Sequence, residues 1–400
     1  MDEGGTWAER PRPPKRPRKQ GVAPADGEWP DPPPGAADGS GAPNPNAKRK
    51  VAMLLAYNGV RYSGLQKNPG VETVEGVLEA AAHHAGGITA ENFGTLQKIS
   101  WSRAGRTDKG VHALGQIVSA KLVLSPDGLL SRINDELAGS GIALLGMERV
   151  TNSFCAHTLC TSREYEYVLP VSILRPPHSL ATESVGNGTA VESKADGDEA
   201  AGKAESSGAA PFSAEERARL AAILGKYEGT HHFHNFTDGK LTSNDKSAQR
   251  YMMSIGVGEN LELSGVQYVA LRFHGQSFLL HQIRKMTALA VATFRGDVTD
   301  EAIATALGGP RVAGIPLAPS CALFLRHCLY ASYERKRTPD RGSVQFPASN
   351  AAQQDFLTAN ILPHIAQCEA AGEFDRFAEA LSSYRMQPEP ESEAGTVENA

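Results

Sequence analysis

Hydrophobic and polar positions divide the chain into patterned and unpatterned stretches. Residues 50–57 form a nearly unbroken apolar run, as expected of a strand buried on both faces. Residues 73–85 space their apolar side chains as a helix does, with Thr73 as N-cap and Glu75 and Glu79 near the start. A short run around Ile99 and a longer one over 115–124 read as strands. A helix is expected over 126–137, capped by Ser125 with Pro126 at the tolerated first position, and a strand over 142–150. The order is β-α-β-β-α-β, a split βαβ unit.

The same order recurs. Residues 164–171 alternate as a strand, 214–227 read as a helix capped by Ser213, and 250–257 with 267–274 as two strands. A strongly apolar helix over 277–294 and a strand over 322–333 complete the repeat. The expected fold class is α+β: two halves, 48–150 and 151–335, sharing one antiparallel sheet with a cleft between them.

Other stretches lack this pattern. Residues 1–47 are rich in Pro, Gly and Ala and have too few bulky aliphatics to fold. Residues 176–210 interrupt the second half with Pro, Gly, Ser, Ala and acids, and a disordered insertion is expected there. Residues 336–385 predict a helical appendage packed on the core through Phe356, Ile361, Ile365, Phe374, Phe377 and Leu381, broken near Pro363 and Gly372. Residues 386–400 read as an acidic disordered tail.

Charge changes this picture only when it is divided. The 400 residues carry a net charge of −5, but the acidity is concentrated in 176–210 and 386–400. Both patterned halves have a slight excess of Lys and Arg, so a nucleic-acid partner stays open. Lys15-Arg16-Pro17-Arg18-Lys19, joined by Lys48-Arg49-Lys50, reads as a nuclear-import signal, and nuclear localisation is expected; the alternative is a solvated basic tail that touches RNA. Five cysteines without a Cys-x-x-Cys pair suit reduced thiols in an intracellular protein. No apolar run reaches membrane-spanning length, and Met1-Asp2-Glu3 opens no secretory signal, so no membrane association is expected.

The candidate chemistry lies between two apolar runs, in the polar, glycine-punctuated stretch 102–116. There Asp108 stands among Arg103, Arg106 and Lys109, and neighbouring cations favour an ionised carboxylate. Gly105 and Gly110 permit turns that present it at the floor of a cleft. On spacing alone the stretch also suits a charged surface loop.

Gly105-Arg106-Thr107-Asp108 followed by Gly110-Val111-His112-Ala113 resembles the active-site loop of the TruA-type tRNA pseudouridine synthases, in their eukaryotic branch. The resemblance implies the pseudouridine synthase fold, with two ferredoxin-like halves and an RNA-binding cleft. It also implies isomerisation of uridine to pseudouridine in tRNA, with Asp108 catalytic; whether other structured RNA is also a substrate stays open.

Further motifs follow in the family's order. Arg163-Glu164-Tyr165-Glu166-Tyr167 is a strand whose tyrosines share one face, which by itself suits core as well as site. The resemblance makes Tyr165 the residue that stacks on the target base. Arg284, in a mostly apolar stretch, needs a partner if buried; the resemblance pairs it with Asp108. Residues 315–325 resemble the family's last element and place Leu323 at the uracil pocket; Arg106 beside Asp108 is expected to occupy the space the flipped nucleotide vacates or to hold that nucleotide. Two departures stand out: His157 where the family commonly has arginine, and Ala322 where it has glycine and where a methyl would crowd the pocket. His231, His232 and His234 have no cysteine or carboxylate at ligand spacing, so no metal is expected. Neither a P-loop nor a dinucleotide fingerprint is present, and no cofactor is expected. A catalytically inactive RNA-binding or RNA-folding protein of the same fold is the alternative.

Overall fold

The computed structural model describes residues 47–124, 128–175, 211–239 and 241–388. The basic cluster at 15–19, the insertion at 176–210, the Ser125-Pro126 cap and all but the first three residues of the acidic tail lie outside these. The first half runs β1 (Lys48–Tyr57), α1 (Val74–His84), β2 (Ser102–Arg103), β3 (His112–Val123), α2 (Leu129–Glu136) and β4 (Ile142–Arg149). The second runs β5 (Ser162–Pro170), α3 (Ala214–Gly225), β6 (Gly229–His232), β7 (Gln249–Leu263), β8 (Val266–Gly275), α4 (Gln282–Arg295), α5 (Ala302–Gly308), β9 (Leu323–Leu329) and α6 (Ala331–Lys336). Then come α7 (Asn350–Phe356), α8 (Leu362–Ala370) and α9 (Glu373–Ser383).

The fold is mixed α+β around one sheet in the order β4-β1-β3-β9-β5-β8-β7-β6, with β2 added to β3. Every neighbouring pair is antiparallel except β3 and β9. These run parallel and pair only at His112 with Phe324 and Ala113 with Leu325. The two halves thus meet at a short parallel seam. β1 lies between β3 and β4 and is buried on both faces from Lys50 to Tyr57, which is why its sequence is a continuous run and not an alternation.

The Thr73 and Ser213 caps form as the sequence predicts, whereas α2 starts only at Leu129, with Gly128 in the left-handed region at its N-cap. The Thr73 hydroxyl accepts from the Gly76 amide, and Ser213 with Glu216 forms a reciprocal capping box. Glu75 and Glu79 do more than face a helix dipole: both are fully buried. Glu75 accepts from Trp101 Nε1 (2.7 Å), Arg103 Nε (2.5 Å) and the Lys67 amide (3.0 Å), whereas Glu79 holds the Lys67 ammonium and the Gly94 amide. Lys50 is also buried, its ammonium donating to the Ser100 carbonyl, and burial lowers its pKa to about 8. It belongs to the sheet, not to a solvated basic tail.

Several boundaries differ from the periodicity. The run around Ile99 is a 3₁₀ turn, Leu96–Ile99, because Ser100 takes a left-handed backbone that ends extension. The helix expected from 277 begins only at Gln282, since His281 also sits at positive φ. The last strand stops at Leu329, and α6 follows. Pro363 does not break the appendage. It falls in the first turn of α8, directly after a π-helical segment, Leu357–Ile361, and the break comes at Gly372 (φ 71°). The appendage docks through its backbone as well as its apolar residues: Gln353 Nε2 donates to the Leu114 carbonyl (2.9 Å) and Asn58 Nδ2 to that of Asn360 (2.8 Å).

Candidate active site

The stretch between β2 and β3 is fixed almost residue by residue. The Ala104 amide bonds the Ile117 carbonyl (2.8 Å), Gln116 Nε2 donates to the Gly105 carbonyl (2.9 Å), and the Leu65 amide to that of Thr107 (3.2 Å). Thr107 is buried, its hydroxyl 2.8 Å from that of Tyr57. The Val111 amide closes a turn onto the Asp108 carbonyl (3.1 Å), with Gly110 at φ 79° where a Cβ would meet Ser320 Oγ at 2.7 Å. His112 then locks the loop across the seam. Its Nδ1 accepts from the Gly59 amide (2.9 Å), which leaves Nε2–H to donate to the Cys321 carbonyl (2.8 Å). Burial pulls its pKa down to about 4, so this clamp is a neutral imidazole.

Asp108 therefore projects from a rigid turn into a cavity of about 760 Å³, and Arg106, Tyr165, Arg284 and Leu323 line the same cavity. The seam explains the convergence. Tyr165 and Tyr167 on β5 pair with Leu325 and Leu323 on β9, one strand away from the residues that follow the Asp108 turn. Tyr165 is buried with its ring edge against Phe278 (centroids 5.1 Å, 76°). Burial raises its pKa well above the usual range, so the phenol keeps its proton.

The charges around Asp108 differ from the sequence expectation. Arg103 is committed to Glu75, and Arg106 and Lys109 are exposed without an ion pair among the described residues. Arg284 does not contact the carboxylate either: its Nε donates to the Ala318 carbonyl (2.6 Å). Burial lowers the proton affinity of this guanidinium, and nearby negative groups, Asp108 among them, oppose the shift. The basic side chain nearest the carboxylate among the described residues is His281, with Nε2 4.0 Å from Oδ2. Sequence spacing could not separate these outcomes, because it does not say which way a long side chain leaves its backbone.

The sequence also understated Arg163. This buried arginine donates to the Ala104 carbonyl (2.6 Å) and to that of Gln276 (2.6 Å), joining the Asp108 loop to the opposite wall. A Cβ at its neighbour Gly105 would lie 3.4 Å from Arg163 Nε and 3.9 Å from the Tyr165 hydroxyl, ordinary contact distances, so a methyl fits there. Arg250 adds a further cation to the lining. His157 lies on the wall, its amide bonded to Ser102 Oγ (3.1 Å). Ala322 is fully buried, does not line the cavity and has an ordinary negative φ, so its methyl does not crowd the pocket.

Among the described residues, Cys321, Cys368 and Glu373 bring donor atoms within 4.8 Å of one another, a set that could hold a metal ion. Here the Cys321 thiol donates to Glu373 (3.4 Å), and burial raises the Cys321 pKa strongly. None of the histidines at 231, 232 and 234 joins this group.

Residues 223–331 match the family model described as tRNA pseudouridine synthase. Over this stretch the chain is similar to that family. Among relatives, tRNA pseudouridine synthase 1 of Yarrowia lipolytica is 31% identical over 345 residues, covering 72% of this chain and 65% of that protein. The corresponding protein of Candida albicans is 30% identical over 393 residues, covering 80% and 64%. Pseudouridylate synthase 1 homolog of Mus musculus is 35% identical over 294 residues, covering 72% and 62%. The chain thus spans slightly less than two thirds of the length of these relatives. The matched stretch carries Arg284 and Leu323, while Asp108 comes from the other half of the sheet.

Proposed function

We propose that this chain is a tRNA pseudouridine synthase in which Asp108 acts at the ribose of a uridine turned out of its RNA fold. The observation that carries the proposal is the single cavity shared by Asp108, Arg106, Tyr165, Arg284 and Leu323 at the junction of the two halves. The reaction breaks the bond between uracil N1 and ribose C1′, forms one between C1′ and C5, and removes the C5 proton while N1 gains one from solvent, so substrate and product are isomers and no redox equivalent is consumed. Asp108 serves either as nucleophile or as base at the sugar.

Turning the base out costs a few kcal/mol. Arg106, exposed at the rim, is suited to hold a phosphate of the flipped nucleotide or to take the vacated space. Leu323 gives the uracil an apolar contact, and the protonated Tyr165 phenol borders it. Arg284 adds positive charge near the carboxylate. Other structured RNAs are further substrates on this reading. Lys15-Arg16-Pro17-Arg18-Lys19 supports import into the nucleus.

Tritium release from tRNA carrying uridine labelled at C5 tests the activity. Wild type releases label, and Asp108→Ala does not, although it binds tRNA as tightly. Equal release by both removes Asp108 from the chemistry; tight binding with no release by either leaves an RNA-binding protein.

A further inference from the structure

The residue that faces Asp108 most directly is His281, and its backbone is strained. It has φ 63° and ψ 0°, the left-handed region that glycine and asparagine enter at little cost and other residues avoid. It occupies the N-cap of α4 without capping it, since its side chain accepts no bond from the first turn. Local chemistry thus disfavours histidine at this position twice over, first through the backbone angle and then through the preference of N-caps for Ser, Thr, Asp or Asn. Strain of this kind persists where the side chain has another task.

That task is visible in the direction of the ring. The imidazole enters the cavity with Nε2 4.0 Å from Asp108 Oδ2, and both side chains are about seven-tenths buried. The distance exceeds a hydrogen bond, but catalytic contacts in an empty site are often long and tighten around substrate. The groups that bear charge around His281 are Asp108 on the facing loop, Arg284 and Lys285 on α4, and Asp238 on the segment after Phe236. Lys285 is drawn away, its ammonium donating to the Thr237 carbonyl (2.6 Å), and Arg284 turns to Ala318.

We propose that His281 is a positioning residue for Asp108: from the start of α4 it holds the carboxylate in the orientation that the ribose requires. The left-handed backbone is what turns the ring toward the loop. Burial lowers the His281 pKa while Asp108 opposes the shift, so the ring is mainly neutral at physiological pH and acts as a hydrogen-bond donor. This inference rests on the assignment of Asp108 to the chemistry.

The test compares wild type, His281→Gly and His281→Asn by single-turnover tritium release, tRNA affinity and thermal unfolding. Both substitutions relax the backbone, so the melting temperature is expected to stay level or rise. The expected loss is roughly 10- to 100-fold in the rate of the chemical step, the scale of a misplaced catalytic group, with tRNA affinity unchanged. Added imidazole restores part of the rate to His281→Gly, and the acid limb of the pH profile moves in both variants. A glycine variant with the wild-type rate and pH profile overturns the proposal. So does a loss that imidazole leaves untouched and that falls equally on tRNA affinity and melting temperature. If wild type itself releases no label, or if Asp108→Ala matches wild type, the proposed function fails instead; the two failures are therefore distinguishable.

Discussion

The loop that carries Asp108 and the segment that faces it, residues 276–281, are secured in different ways. On the Asp108 side, Ala104, Gly105 and Thr107 each place a backbone group in a hydrogen bond to a neighbouring strand or turn, and His112 pins the end of the loop across the seam. On the other side, the Gln276 amide bonds the Tyr251 carbonyl (3.0 Å) and the Leu279 amide bonds Gln282 Oε1 (2.8 Å), but Leu280 is 46% exposed and His281 holds an unfavourable φ. A carboxylate that must meet one ribose carbon gains from a fixed mount, while a wall that admits a turned-out base gains from give. Among the described residues, Arg163 is the one side chain bonded to both.

Arg163→Ala breaks that link and has the largest expected effect on stability. It leaves the carbonyls of Ala104 and Gln276 without their charged donor, at a cost of about 3–5 kcal/mol in denaturant unfolding. Activity falls with it, because the two walls lose their common anchor. Arg163→Lys keeps the charge but reaches only one carbonyl at a time, and regains less than half of the loss. If the alanine variant unfolds like wild type, the walls are joined by packing alone.

The next effect comes from acid. The folded-state pKa of His112 is about 4 against an ordinary 6.5, so between those values the unfolded chain binds a proton that the folded chain does not. The contribution is complete above the ordinary value and is lost as pH falls toward 4, by at most about 3 kcal/mol. Unfolding free energies at about pH 7 and about pH 5 should differ for wild type and much less for His112→Gln. Equal pH dependence in both would mean that the clamp is not what fixes the Asp108 loop.

The frame of this site was legible in the sequence because it depends on letters that mean one thing. The apolar run of β1, the Thr73 and Ser213 caps, and the glycine at 110 each have few physical readings, whereas Gly105 has neither a positive φ nor a crowded Cβ. The shared cavity follows from them through the order of strands. Contacts between long side chains were not legible. Arg103, Arg284 and Lys50 each had several partners within reach, and tertiary packing decided among Glu75, Ala318 and Ser100. Nor does the sequence around His281 announce a left-handed turn; Phe278, Leu279 and Leu280 before it read as the first turn of a helix.

The smallest expected effect isolates the rigidity of the mount from its chemistry. Tyr57→Phe removes the hydroxyl that meets Thr107 Oγ1 at 2.8 Å one residue before Asp108; Tyr57 is buried in the sheet and does not itself line the cavity, although Thr107 does. Its cost to unfolding should be about 1 kcal/mol. Because the Leu65, Gln116 and Val111 bonds remain, the rate of tritium release should stay within about threefold of wild type. A fall comparable to that of Asp108→Ala would show that one buried hydroxyl sets the carboxylate's position and that the loop is no stiffer than the wall it faces.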